Sequence, residues 1–494
     1  MTCVVLSLST IVIAQSTSIH DTSLDEIISL EKSLTKKIES YRQGGSHSNY
    51  SYGSFNAAFF RYKSGEIKRS DFDKYLQEWY AFHESLQKEY DRVFILRHAY
   101  IVKKARNDLD NFLIRENVNR VKYKSSLSEI DRAYQEWLPL AECMGGYGDE
   151  AGRQRKRHDS FYNFIKSLIK FYKSFPNYKG DYYKLYEAPL YQHAIKEKSC
   201  LSNVVDPVLH SPFYLIQGFG FIGAVVSASF DLVVKNKRGT LFVPFTKKAD
   251  YMMQTIRKSK GLHLNIKNRH LLPRFARAAS REVYLILPAH QIGMLDAFLT
   301  AELGLPHYLI FSHPMAFAPN KILAQSLANH PQFISVGVKA HDGQGSMEQL
   351  NHALSNGHGN IIVNYPQGQL EPSHVQPING NFSEKMLLKL VKDGYKINIL
   401  PMMWHVPSTF PNSHFGLPSK FPLNSFSGEV LPKLEPALVN YLISKEYDQD
   451  GSVNPRYDAL FSKLVRSIWI EHKTVFKDLQ LKQMLKRMDA MIPA

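Results

Sequence analysis

The sequence predicts an α/β fold: a sheet flanked by helices, preceded by a mostly α-helical N-terminal region. Three observations lead there. From residue 280 onward, short apolar runs of strand length alternate with helical segments. The first third of the chain places apolar residues at helical intervals instead. Apolar residues make up 44% and aromatic residues 12% of the 494, well clear of the composition of a disordered chain. A chain of this length suggests roughly two to four domains, with ample material for a core.

In chain order, residues 1–18 are compatible with a signal peptide. "MTCVVLSLSTIVIAQSTS" has an apolar segment of suitable length and a small-residue exit at Val12, Ile13 and Ala14, but no basic residue before it. Cleavage after Ala14 would leave Cys143 and Cys200, a pair that an oxidising compartment could link and that a reducing one would leave as buried thiols. The three cysteines, at 3, 143 and 200, form no CxxC, and no HExxH occurs, so no metal is expected.

Residues 20–200 read as a helical N-terminal domain. Ser23 precedes Glu26 by three residues, the spacing of a capping box, and Leu24, Ile27, Ile28, Leu34 and Ile38 follow at helical intervals. "DKYLQEW" (Asp73 to Trp79) and "DRAYQEW" (Asp131 to Trp137) echo each other, as similar helices or by coincidence within a bundle. Residues 153–175 form a basic cluster followed by an amphipathic stretch, with Phe161, Phe164, Ile165, Leu168, Ile169 and Tyr172 on one face. That face suits an anionic lipid surface, and equally suits domain packing with a solvated basic side.

Residues 205–475 read as the α/β domain and 476–494 as a C-terminal helix. Phe213 to Phe230 carries no charge and contains Gly218, Gly220 and Gly223 as a GxGxxG. A dinucleotide fingerprint also needs an acidic residue at the end of a second strand, where this chain has "TLFVPFTKK". A buried or membrane-dipping helix is the preferred reading. Strands are expected at 283–287, 307–311, 333–338, 360–365 and 397–404, with helices between them that end at Gly357 and Gly394. The region from Asp458 to Met491 is basic, amphipathic and helical, and is expected to cover part of the sheet.

The formal charge of +16 implies an anionic partner, either nucleic acid or a phospholipid surface. No nucleic-acid module accompanies it, so no nucleic-acid partner is expected. Chemistry is sought where strands end and helices begin, the usual site in an open α/β sheet. His290 follows the strand ending at Leu287 by three residues. A neutral imidazole there can take a hydroxyl proton if a carboxylate fixes its tautomer, and Asp296 is the nearest in sequence.

These residues resemble the glycerolipid (lysophosphatidic-acid-type) acyltransferases. "HQIGMLD" stands where that family has His, four residues and Asp. "YPQGQLEP" (Tyr365 to Pro372) is similar to its Phe-Pro-Glu-Gly-Thr-Arg motif, and "ILPMMW" (Ile399 to Trp404) to its fourth. The resemblance covers roughly residues 270–410 and implies an acyltransferase-like sheet. It also implies acyl transfer from a thioester, acyl-CoA or an acyl-carrier protein as co-substrate, to a lysophospholipid or other lipid hydroxyl, with membrane phospholipids as partners and no bound cofactor. Here five residues separate His290 from Asp296. Positions six apart on a helix differ by about 600°, so the two cannot share a helical face. His290 therefore belongs on the loop, with Gly293 as N-cap and Asp296 at N3, the extra residue falling in the loop.

By the same resemblance, Tyr365, Pro366, Gln367, Gly368 and Glu371 fall in the acceptor-binding segment, and Gln367 and Leu370 stand where the family has Glu and Arg. Leucine offers a phosphate nothing. Lys339 supplies a cation near a position where the family often has Arg, without the planar fork. A lysophospholipid with a larger head group is thus expected as acceptor rather than lysophosphatidate. Membrane association is expected, on the cytoplasmic face unless residues 1–18 direct export to a periplasm or beyond. The competing reading, motivated by the altered motifs, is a catalytically inactive lipid-binding protein on the same fold. A nucleic-acid-binding protein is the third, on charge alone.

Overall fold

The computed structural model describes residues 22–42, 45, 47–141, parts of 156–174, 265–274, 281–289, 303–305, 308–312, 333–335, 345–357, 359–367, 375, 377–378, 380–405 and 427–472. Four helices open the chain: α1 (Leu24–Arg42), α2 (Tyr52–Lys63), α3 (Arg69–Arg115) and α4 (Lys124–Trp137). The Glu26 N–H donates to the Ser23 hydroxyl at 3.2 Å, so α1 starts at the expected cap. Its buried stripe is Ile27, Leu34, Ile38 and Tyr41 with one polar member, Glu31. Apolar periodicity passes over Glu31, which is tolerated inside because Arg97 of α3 meets it at 3.3 Å.

At 47 residues, α3 spans about 70 Å, and its two halves enter different cores. Phe72, Leu76, Trp79, Leu86, Tyr90 and Val93 pack in the core that also holds the sheet. Leu96, Val102, Leu109, Phe112 and Leu113 pack in a second core with Ile130, Ala133 and Trp137 of α4. The two echoing segments therefore lie on helices, and each ends in a buried tryptophan, Trp79 in the first core and Trp137 in the second. The two open readings of residues 153–175 now separate. Phe161, Phe164, Leu168, Phe171 and Tyr172 are all buried in the second core, so the described part of this face packs within the domain, while Ile165 and Ile169 lie outside the described residues.

The strands are β1 (Asn265–Lys267), β2 (Glu282–Pro288), β3 (Tyr308–Ser312), β4 (Phe333–Ser335), β5 (Ile361–Asn364), β6 (Lys396–His405) and β7 (Ser427–Val430). They form one sheet in the order β1-β7-β6-β2-β5-β3-β4. All neighbours are parallel except β6 and β7. Helices α5 (Ser346–Ser355) and α6 (Gly380–Lys392) make the crossovers into β5 and β6. The glycines expected to end them, Gly357 and Gly394, have φ of 66° and 79°, the left-handed conformation that glycine adopts without strain. β6 runs through Pro401 rather than stopping there. The missing N–H falls where the partner strand slips: Ile399 exchanges both bonds with Leu434, whereas the Pro401 carbonyl accepts from Leu431.

One face of the sheet, with Val283, Leu285, Leu287, Ile397, Ile399 and Met403, packs in the first core. The opposite face, including Ile286, Val363, Leu400, Met402 and Trp404, is buried as well, which is why these strands read as unbroken apolar runs. Helices α7 (Pro436–Glu446) and α8 (Leu460–His472) complete the described chain. Every described residue of α8 from Leu460 to Ile470 except Lys463 is buried, because α8 lies between β6 and the N-terminal helices α1, α2 and α3.

Where α6, α7 and α8 meet, two carboxyls are buried: Glu384 at 4% exposure and Glu446 at 0%. The Phe461 N–H donates to Glu446 Oε2 at 2.9 Å, and the Ser462 hydroxyl donates to Glu384. Burial, reinforced by Glu384, pushes the Glu446 carboxyl up to about 9. In the folded state it therefore holds a proton that the unfolded chain releases near 4.5. Its contribution is fully present below that pH and is lost as pH rises towards 9. Glu446→Gln keeps the acceptor for Phe461 and cannot ionise. Its melting temperature should match or fall below wild type at pH 4 and exceed it by a margin that widens up to pH 9; a constant difference across that range would refute the assignment.

Candidate functional site

The three strands bearing the acyltransferase-like motifs are consecutive in the sheet, in the order β6-β2-β5, and all run the same way. Their registers fix the relative heights of their ends. Ile286 of β2 pairs with Val363 of β5, and Pro288 pairs with Met402 of β6. The Ala289 N–H then donates to the Met402 carbonyl at 2.9 Å. The first motif thus leaves β2, and the third leaves β5 after Asn364, at the same edge of the sheet. His290, Gly293, Asp296, Lys339, Gly368 and Glu371 lie outside the described residues. Of the third motif, Tyr365 is half-buried, Pro366 is buried, and Gln367 is 4% exposed.

Trp404 was not anticipated as a site residue. It lies as far beyond Met402 as residue 290 lies beyond Pro288, on the face of β6 opposite α8. Trp404 is 2% exposed, and among the described residues its Nε1 finds no hydrogen-bond acceptor. Gly428 of β7 makes room for it: a Cβ there would stand 2.6 Å from Trp404 Cζ3. The opposite, amino-terminal edge is closed by polar ties. Asn398 donates to Glu282 Oε1 at 2.8 Å, the Tyr284 hydroxyl donates to the same oxygen at 3.1 Å, and Asn360 donates to the Glu282 carbonyl at 2.9 Å.

The segment between β5 and α6 is gripped at Val375 by side chains from distant helices. The Val375 N–H donates to the Tyr90 hydroxyl of α3 at 3.1 Å. Its carbonyl accepts from Arg466 of α8, Nε at 3.0 Å and Nη2 at 2.9 Å. The Arg466 guanidinium also pairs through both Nη atoms with Asp91 of α3. The Val375 backbone, which lies in neither a strand nor a helix, is thereby satisfied inside the core. Nothing in the sequence warned of this clamp: in "LFSKLVRSIWI" Ser462, Lys463, Arg466 and Ser467 fall on one helical face, a pattern that suits a solvated polar side equally well.

Among the described residues no group of three or more His, Cys, Asp or Glu side chains could hold a metal ion. No described helix is long and apolar enough to cross a membrane. Comparison with protein-family models, with curated proteins and with solved structures finds no match to this chain. The case for a function therefore rests on the motifs and on where the strands carry them.

The clamp has a measurable consequence. Arg466→Met removes the guanidinium that pairs with Asp91 and the donors to the Val375 carbonyl, and should cost about 3–5 kcal/mol in urea unfolding. Asp91→Asn, which keeps an acceptor, should cost less. Amide exchange near residue 375 should rise in both variants before the sheet itself opens; unchanged exchange there would show that the clamp holds nothing.

Proposed function

We propose that this protein is a membrane-associated O-acyltransferase that moves a fatty acyl group from a thioester donor to a lysophospholipid or another lipid-borne hydroxyl. The observation that carries this reading is the adjacency of β6, β2 and β5, which brings all three motif-bearing segments to one edge of a parallel sheet. Acyl transfer needs that convergence, because the base, the acceptor and the thioester carbonyl must meet within contact distance.

In this proposal His290 is the general base. It takes the proton from the acceptor hydroxyl as the oxygen attacks the thioester carbonyl; the carbon–sulfur bond breaks and the thiol leaves with the proton. Asp296 fixes the imidazole tautomer and stabilises the imidazolium. Tyr365, Pro366, Gln367, Gly368 and Glu371 line the acceptor, with Gly293 capping the helix that carries Asp296. No covalent enzyme intermediate is required, in keeping with the absence of a GxSxG elbow from the sequence.

His290→Ala should fold and lose acyl transfer by about 10²- to 10⁴-fold. Asp296→Asn should lower the turnover rate with less effect on KM. Wild-type turnover in both variants, with lipid binding retained, would instead favour an inactive lipid-binding protein on the same scaffold.

The acceptor follows from Leu370 and Lys339. With leucine where an arginine fork would hold a phosphate monoester, lysophosphatidylethanolamine or lysophosphatidylglycerol should be preferred to lysophosphatidate when the three are offered side by side with one thioester donor. Preference for lysophosphatidate would contradict this and make Lys339 the phosphate ligand. Lys339→Ala should then raise KM chiefly for that substrate.

A further inference from the structure

The far end of α3 carries a surface that the motif-bearing edge does not explain. Among the described residues, the two most exposed large aliphatic side chains are Ile114, 72% exposed, and Val121, 84% exposed. Ile114 is in the last turn of α3 and Val121 in the reversal that joins α3 to α4. Single exposed aliphatics are ordinary on protein surfaces. Here the two lie seven positions apart at the end of α3, in a stretch that also holds Arg120, Lys122 and Lys124, all exposed, while Arg115 pairs with Glu116 at 3.1 Å. Among the described residues no carboxylate pairs with Arg120, Lys122 or Lys124.

The tip is ordered. Val118 N–H donates to the Leu113 carbonyl at 3.0 Å and Asn117 N–H to Ile114 at 3.1 Å. The Asn119 side chain accepts from Val121 N–H at 3.1 Å and from Lys122 N–H at 3.2 Å. Asn117 takes the left-handed conformation, φ 44°, that closes the reversal. Phe112, Leu113 and Val118 point inward into the second core. The reversal thus buries three apolar residues while holding Ile114 and Val121 outward in fixed positions.

We infer that the α3–α4 tip is a docking surface for an anionic phospholipid bilayer, with Ile114 and Val121 entering the interfacial layer and Arg120, Lys122 and Lys124 meeting the headgroups. Exposed aliphatic side chains interspersed with long, exposed basic ones suit a deformable anionic interface. The chain's net charge of +16 adds long-range attraction. The surface lies in the helical region, so it stands whether or not the sheet edge transfers acyl groups.

The test uses the full-length protein and flotation with vesicles of phosphatidylcholine alone or with about 30% phosphatidylglycerol. Each basic residue near an anionic surface contributes about five-fold to partitioning, so Arg120→Gln/Lys122→Gln/Lys124→Gln should bind anionic vesicles about 100-fold more weakly. Ile114→Ser/Val121→Ser should lose at least about ten-fold. These positions are exposed, and melting temperatures should stay at the wild-type value. The four native tryptophans, Trp79, Trp137, Trp404 and Trp469, are all at most 2% exposed, so a Val121→Trp variant carries one accessible indole. Its emission should shift to the blue on anionic vesicles and be quenched by brominated acyl chains. Failure of the wild-type protein to bind anionic vesicles would overturn the proposal. So would undiminished binding by both multiple variants with no shift from Val121→Trp. Neither measurement involves acyl transfer, so these outcomes leave the proposed activity to its own assays.

Discussion

A charged side chain on a fully buried helix is the constraint around which the described chain is arranged. α8 separates the sheet from the N-terminal helices, and its Arg466 is 4% exposed. An unpaired guanidinium there would be prohibitive. Asp91 supplies the counter-charge, and the Val375 carbonyl supplies the second acceptor. Because those partners come from α3 and from the segment after β5, satisfying one arginine fixes three parts of the chain against each other. Lys463 repeats the logic one turn earlier, reaching the Tyr80 hydroxyl and the Asp458 carbonyl. Gln87 of α3 adds a bond to the Lys463 carbonyl.

This arrangement ties the helical N-terminal region to the edge where the motifs converge. Leu34, Phe55, Trp79 and Tyr90 share a core with Leu285, Ile362 and Ile399, so the face of β2 and β5 that supports the motif-bearing segments rests on residues at least 195 positions earlier in the chain. The other half of α3 departs from the sheet and builds a second core of its own. The long helix is therefore a beam: one end is embedded against the sheet, and the other carries the basic tip outward.

Much of this was legible in the sequence, for physical reasons that differ by element. The strands of β2, β5 and β6 were readable because a sheet buried on both faces needs unbroken apolar runs, and the helices between them because Gly357 and Gly394 mark their ends. Boundaries moved by a residue or two; β6 runs through Pro401 as its apolar run suggested, and a slip in the partner strand absorbs the missing donor. Strand order was not readable, since nothing local in β1 or β7 says that they lie beside β6. The amphipathic stretch at 161–172 shows the limit most plainly: an apolar face beside lysines has the same pattern whether it meets lipid or protein, and only the positions of Phe112 and Trp137 decide between them. Of the site, sequence could place the motifs at strand ends. It could not show that Trp404 presents a buried N–H with no acceptor among the described residues, or that Val375 is held from two helices, because both depend on contacts between residues far apart in the chain.

The central claim is that α3 and the motif-bearing sheet are one cooperative unit held through α8. Native-state hydrogen exchange at increasing denaturant measures this directly. Amides in α3 between residues 72 and 93 and those of β2 and β5 should open with the same free energy and the same dependence on denaturant. Exchange of that part of α3 through a cheaper opening, with β2 and β5 still protected, would contradict it.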